Sequence, residues 1–352
     1  MIPAHNIYIH VPFCMSKCNY CAFFSRACPT PDWDTYANEI ISEIKQWEKI
    51  LGKINVPTVF FGGGTPSLMP VNIFDKIMSQ LHSCFTIQNK CEITLESNPG
   101  TINENKLDDF LRIGVNRISV GVQSLRNEVL QFLGRQHSVN DAIKLIDACM
   151  QRGISVSADF IYGIPGDTTN TVAVLCKQIN SMGLRHCSMY ELTIEPNTPF
   201  GKMNLDMPTN DEMADMYTTI GQTLNLPRYE VSNYAVHGAE CRHNQNIWDG
   251  APYIGLGRGA AGRILIDDQW YEQMGNNELF KKIDNNTRAT ERIITGLRQV
   301  RGVQIDDMTR RVINTDFVKQ NPELLRITSD NRIAATERGM LVLDDLIMNL
   351  IR

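Results

Sequence analysis

Over its first two thirds the chain alternates short β-branched and aromatic runs with longer amphipathic stretches. This pattern predicts strands near residues 6–11, 57–61, 91–96, 117–122, 154–160 and 186–193. The helices it predicts lie near 32–51, 71–84, 103–113, 126–134, 138–152 and 168–182. Asp32, Asn103, Ser138 and Thr168 stand where a side-chain oxygen can accept from the first unpaired amides of a helix. Repeated βα units of this kind build an α/β fold around a mostly parallel sheet. Six units by residue 193 suit a partial (β/α)6 TIM-type barrel, although periodicity alone also admits a doubly wound sheet. From about residue 235 the character changes to a glycine-rich stretch, polar helices near 276–300 and a short GVQIDDMTRR turn and helix. Leu325-Arg-Ile-Thr, the turn Ser329-Asp-Asn and Arg332-Ile-Ala-Ala then read as a β-hairpin, followed by a final amphipathic helix. We therefore read residues 1–235 as the core unit and 236–352 as a small C-terminal α+β, winged-helix-like domain.

Composition narrows this reading. With 352 residues and 43% hydrophobic content, the chain can bury one large core and a satellite, and no apolar run is long enough to span a bilayer. A cytoplasmic protein is expected. The formal charge of -5 provides no basic field, which argues against a nonspecific nucleic-acid binder and makes the C-terminal appendage a lid or docking surface. Ten cysteines without a signal peptide do not make a disulfide framework.

The cysteines instead carry the chemistry. Cys14-x3-Cys18-x2-Cys21 directly follows the first strand. A [4Fe–4S] cluster normally takes four thiolates, so three leave one iron open to another ligand. Zinc with His10 as a fourth ligand is the alternative, but the spacing is not the paired C-x2-C of zinc ribbons. The other cysteines are scattered: Cys149 reads as a buried helix thiol, and Cys28 and Cys241 as structural. The segment HVPFCMSKCNYC resembles the radical SAM signature, in which the open iron is chelated by S-adenosylmethionine (SAM). That resemblance implies a barrel fold and a reduced cluster able to split SAM into methionine and a 5'-deoxyadenosyl radical.

Polar motifs fall at successive strand ends, where barrels of this class place their chemistry. Gly62-Gly-Gly-Thr-Pro66 follows the second strand and lets backbone approach a ligand closely. Glu96, Gln123, Arg135 and Asp159 follow in order and make a polar rim suited to a ribose, an amino group and a carboxylate. Gly255-x-Gly257-x-Gly259 lacks the spacing and βαβ context of a dinucleotide site and reads as a turn-rich segment.

The order YIHVPFC, GGGTPSL, LESNPG, GVNRISVGVQS, LGRQH, DFIYGIPG, LTIEPNTPF, CRHNQNIW, YIGLGRGAAG resembles the oxygen-independent coproporphyrinogen oxidase-like family, most closely its heme chaperone branch. ERIITGLRQVRGV at 291–303 is similar to the start of that family's C-terminal domain. The resemblance implies Cys14, Cys18 and Cys21 on the cluster, and Tyr20, Gly63, Gly64, Thr65, Glu96, Gln123, Arg135 and Asp159 on SAM, with Tyr8 as a further contact. It also implies heme as cargo and a heme-accepting protein as partner, and leaves a homodimer open. Two features choose the branch. The oxidative decarboxylase carries a fourth cysteine in a CxxxCxxCxC run, whereas here the run ends Cys21-Ala22-Phe23. Arg242-His243-Asn244-Gln-Asn-Ile247-Trp248 resembles the chaperone's HNxxYW motif, with Ile247 in place of tyrosine, which makes His243 the implied heme ligand. The alternative is an enzyme that oxidatively decarboxylates coproporphyrinogen III.

Overall fold

The computed structural model describes residues 4–274 and 280–352. Strand β1 (Asn6–Val11) leads into the cysteine loop, where Phe13–Cys14 (β2) pairs with Arg26–Ala27 (β3). Then follow α1 (Trp33–Leu51), β4 (Asn55–Gly63), α2 (Val71–Cys84), β5 (Thr86–Ser97), α3 (Glu104–Ile113) and β6 (Arg117–Gln123). After these come α4 (Asn127–Phe132), α5 (Val139–Gln151), β7 (Ser155–Tyr162), α6 (Thr169–Ser181), β8 (His186–Glu191) and α7 (Asn210–Thr223). Asp32, Asn103, Ser138 and Thr168 each cap their helix by accepting a backbone amide, as their chemistry requires.

Strand order settles the architecture. Strands β1, β4, β5, β6, β7 and β8 are neighbours in chain order and pair in parallel. A doubly wound sheet would reverse direction at a switch point. This sheet does not, so it is a singly wound, incomplete barrel.

The alternation along these strands is inverted relative to a sheet that rests on an apolar core. In β6, Ile118, Val120 and Val122 are fully buried against the helices, while Arg117, Ser119 and Gln123 face the lumen with their polar groups. The same holds in β7 and β8, whose Ser157, Asp159, His186 and Ser188 form a bonded polar network inside the barrel. The main core is therefore a shell between sheet and helices, joined by Ile40, Ile44, Phe61, Phe74 and Phe110 among others.

The large sheet does not end near residue 235. Arg228–Glu230 (β9) and Asn233–Ala235 (β10) extend it beyond β8, and helix α8 (Arg242–Trp248) follows. Tyr253–Leu256 (β11) then pairs in parallel with β1, and Ala261–Ile266 (β12), Gln269–Met274 (β13) and Phe280–Ile283 (β14) continue it antiparallel. Strands β11 to β14, which sequence reading groups with the C-terminal domain, are thus bonded into the main sheet, because the free edge of β1 needs a partner for its amides and carbonyls. Of the helical stretch expected near 276–300, residues 275–279 lie outside the described residues. Phe280–Ile283 is a strand, and Asn285–Leu297 (α9) is the helix.

A second, separate core begins at Ala289 and runs through Ile293, Leu297, Val303, Ile333 and Leu346 to Leu350. It packs α9, Val303–Gln304 (β15), Thr315–Gln320 (α10), Leu325–Ile327 (β16), Arg332–Ala335 (β17), Glu337–Met340 (α11) and Leu343–Leu350 (α12). The expected hairpin is β16–β17, with Leu325 opposite Ala335, and β15 adds a third strand. No helix among the described residues is long and apolar enough to cross a membrane.

Candidate functional site

The C-terminal mouth of the barrel opens into a cavity of about 430 Å³. It brings together Cys14, Cys18, Cys21, Tyr20, Gly63, Gly64, Thr65, Glu96, Gln123, Arg135 and Asp159, residues drawn from six segments of the chain. Tyr8, expected as a further SAM contact, does not line it, and neither does His243, the implied heme ligand.

The glycine segment is built against the cysteine loop. The Gly64 and Thr65 amides donate to Val11 O and Phe13 O, both at 2.7 Å, and a Cβ at Gly64 would sit 2.6 Å from Phe13 O. Only glycine permits that approach. The Gly63 amide donates to Glu96 Oε2 at 3.0 Å. All three amides are therefore committed inside the protein, and what the cavity presents beside them is acceptor chemistry, suited to a cationic amino group. Burial, and after it the charge of Asp159, pushes Glu96 up to about 8. Burial likewise raises Asp159, against the hydroxyls of Ser188, Ser119 and Ser157. A bound sulfonium or ammonium would offset that desolvation and let both carboxyls ionise.

Across the cavity, Arg135 donates to Asn98 Oδ1 at 2.6 Å, Gly121 O at 2.9 Å and Cys18 Sγ at 3.3 Å. Its Nε is buried with no hydrogen-bond partner among the described residues. Gln123 holds φ at 67°, the left-handed region that favours glycine, at a register irregularity between β6 and β7. Such strain costs on the order of 1 kcal/mol and here turns an amide side chain toward the cavity. Sequence reading missed Asn98, which bonds Thr65 Oγ1 at 2.9 Å and so ties the glycine segment to Arg135. Its place in the LESNPG motif was the available signal.

The thiols fit a cluster rather than a single ion. All three are free and line one cavity, and the charges of Cys18 and Cys14 raise Cys21 further after burial has done so. Among the described residues no three His, Cys, Asp or Glu side chains are placed to hold one metal ion. The zinc alternative also loses its fourth ligand, because His10 is bonded through Nδ1 to Tyr8 at 2.9 Å and through Nε2 to Phe24 O at 2.7 Å. Tyr8 accordingly acts behind the site, holding the histidine that anchors the cysteine loop.

His243 lies at the opposite, N-terminal end of the barrel. It opens α8, which plugs that end, and it is 2% exposed. Its ring stacks on Phe60 at 5.0 Å between centroids, Nδ1 lies 2.7 Å from Thr58 Oγ1, and its amide donates to Glu92 Oε1 at 2.9 Å. The imidazole that the sequence resemblance implied as a heme ligand is thus enclosed by β4, β5 and α8 in this structure. Burial, helped by the Arg117 charge, lowers His243 to about 3. The unfolded chain takes up this proton below about pH 6.5 and the folded chain does not. The site's contribution to stability is therefore complete above about pH 6.5 and falls by about 1.4 kcal/mol per unit as pH drops toward 3. Urea midpoints measured from pH 7 to 4.5 should fall less steeply in His243→Gln than in the wild type. Equal slopes would show that the imidazole is protonated in the folded protein.

An incomplete parallel barrel with a three-thiolate loop at its C-terminal mouth, facing a carboxylate and arginine rim, defines the radical SAM class, and the Radical SAM superfamily profile matches residues 8–179. Within that superfamily the chain belongs to the family of the heme chaperone HemW. It is 35% identical to HemW of Escherichia coli over 272 residues, covering 76% of this chain and 72% of that protein. It is 29% identical to HemW of Lactococcus lactis over 97% of this chain and 93% of that one. The fold matches coproporphyrinogen III oxidase (HemN) of Escherichia coli with a TM-score of 0.79 at 19% identity, over 98% of this chain and 89% of that chain. The cofactors of the superfamily are a [4Fe–4S] cluster and SAM. Cys14, Cys18 and Cys21 are the residues that would hold the cluster, with the rim from Glu96 to Asp159 around SAM.

Proposed function

We propose that this protein binds heme and delivers it to an acceptor protein, with a [4Fe–4S] cluster and SAM seated at the barrel mouth. The relatives from Escherichia coli and Lactococcus lactis, which it matches along most of its length, are heme chaperones by name. The structural observation that carries the choice over the decarboxylase is Phe23, which stands where the family's oxidases carry a further cysteine and is 69% exposed beside the cluster cavity. An apolar ring offered to solvent there suits a flat ligand rather than another metal ligand.

When bound, the cluster and SAM supply a reducing electron and a route to an organic radical. The chain's own residues do the rest. Arg135 steadies the Cys18 sulfur, Glu96 and Asp159 receive cationic groups, and the glycine segment packs the cysteine loop onto β4. The free state of all ten cysteines suits work in the reducing cytoplasm. The net charge of -5 supports a protein acceptor rather than nucleic acid.

The anaerobic protein with its cluster, SAM and a reductant is expected to bind heme and to form no protoporphyrinogen from coproporphyrinogen, while slow uncoupled release of 5'-deoxyadenosine is compatible with this role. Repeated turnover of coproporphyrinogen, read by chromatography of the oxidised porphyrins, would assign the oxidase instead.

A further inference from the structure

We infer that the cavity on the outer side of the cysteine loop seats the tetrapyrrole, which is gripped by its plane and its carboxylates rather than through its metal. The inference rests on the heme-carrier reading above. The cavity measures about 590 Å³, within the roughly 300–1,000 Å³ typical of small-molecule sites.

Two adjacent rings, Phe23 and Phe24, stand at this cavity 69% and 59% exposed. Bare phenyl surface of this kind gains from being covered by a flat apolar ligand. Phe24 is held from behind. Its carbonyl is bonded by His10 Nε2 at 2.7 Å, and a Cβ at Gly259 would lie 2.3 Å from its ring. Gly257, whose added Cβ would lie 2.8 Å from His10 O, likewise lets its turn press against the loop. Of the Gly255-x-Gly257-x-Gly259 motif, which the cluster site leaves without a role, Gly257 thus lines the far wall and Gly259 braces it.

The charged groups suit a dianion. Arg26 sits 5.3 Å over the Phe13 ring and has no carboxylate partner among the described residues. Lys17 Nζ donates to Phe23 O and Ser25 O at 3.3 Å, and Arg258 reaches Glu39 at 3.3 Å across the open rim. The remaining acid, Asp32, is committed to capping α1 through Thr35. The walls contain no histidine, cysteine or methionine, and the Tyr36 hydroxyl is buried on His10 O at 2.9 Å. Iron would therefore find no imidazole, thiolate or thioether here, and recognition falls to the ring and its propionates. Lys17, Ala22 and Phe23 line both this cavity and that of the cluster, so one loop separates the cargo from the SAM site.

The test titrates the full-length, cluster-loaded protein with heme and with metal-free protoporphyrin IX, followed by absorbance and fluorescence. The two should bind within about threefold of each other, and Phe24→Ala combined with Arg258→Glu should weaken both by about tenfold. Both substituted side chains are exposed, and an unchanged melting temperature and iron content would show that the variant is folded. Heme binding without protoporphyrin binding would overturn the inference in favour of metal ligation. So would normal binding of both by the folded variant. Failure of the wild type to bind either tetrapyrrole would instead remove the heme-carrier reading itself.

Discussion

Replacing Cys14, Cys18 or Cys21 by serine should each abolish the brown chromophore and most of the bound iron, while Cys28→Ser should keep both. A serine oxygen is a hard, weakly acidic donor, whereas the cluster's iron prefers soft thiolate. The three cysteines share one cavity with the SAM rim. Cys28 does not line it. Its amide bonds Cys14 O at 2.8 Å, closing the loop, and its side chain packs against the main core. Iron and sulfide analysis of anaerobically reconstituted protein reads the result directly. Loss of iron in Cys28→Ser equal to that of the triplet variants would show that the cluster uses a different ligand set.

Glu92→Ala should cost about 3–5 kcal/mol of stability in urea unfolding, the range for removing one partner of a buried charged group. The Glu92 carboxylate accepts from the amides of Arg242 at 3.1 Å and His243 at 2.9 Å, the first two residues of α8. It thereby caps from β5 a helix whose own preceding residue, Cys241, offers no side-chain cap. It also faces Arg117, which is 3% exposed. Burial opposes that guanidinium's charge, and the neighbouring Cys241 and Glu92 outweigh the penalty. Removing Glu92 strands two amides and an interior cation together. Glu92→Gln, which keeps one acceptor oxygen, should fall between the variant and the wild type. A loss in Glu92→Ala below about 1 kcal/mol, the worth of one ordinary hydrogen bond, would mean that packing alone holds α8.

How far the sequence carries depends on where each signal resides. Caps such as Asp32 and Ser138 act on amides three residues away, so they are legible locally, and the helices they open begin within a residue of expectation. Strand β5 starts at Thr86, five residues before the apolar run that reveals it, because Thr86 and Ile87 are held by pairing with Asn55 and Val56 rather than by their own pattern. Helix α8 is absent from the helices the sequence predicts because its cap, Glu92, lies about 150 residues upstream. The same distance hid the position of His243, since nothing beside it in sequence shows that Thr58, Phe60 and Glu92 enclose it.

By itself the sequence determined the cofactor chemistry: three thiolates at fixed spacing, a glycine segment and a run of acidic, amide and basic residues at successive strand ends. These are local properties, set by donor type and by where each strand stops. Only the tertiary structure decided which way the alternating strands face. A period of two marks two faces without saying which is covered, and the polar face of β6 reads the same toward solvent as toward a lumen. The helices, packing on Ile118, Val120 and Val122, claim the apolar side, and the curved sheet then encloses the polar one. That enclosure gathers Glu96, Asp159 and Arg135 into one cavity and holds His243 out of it.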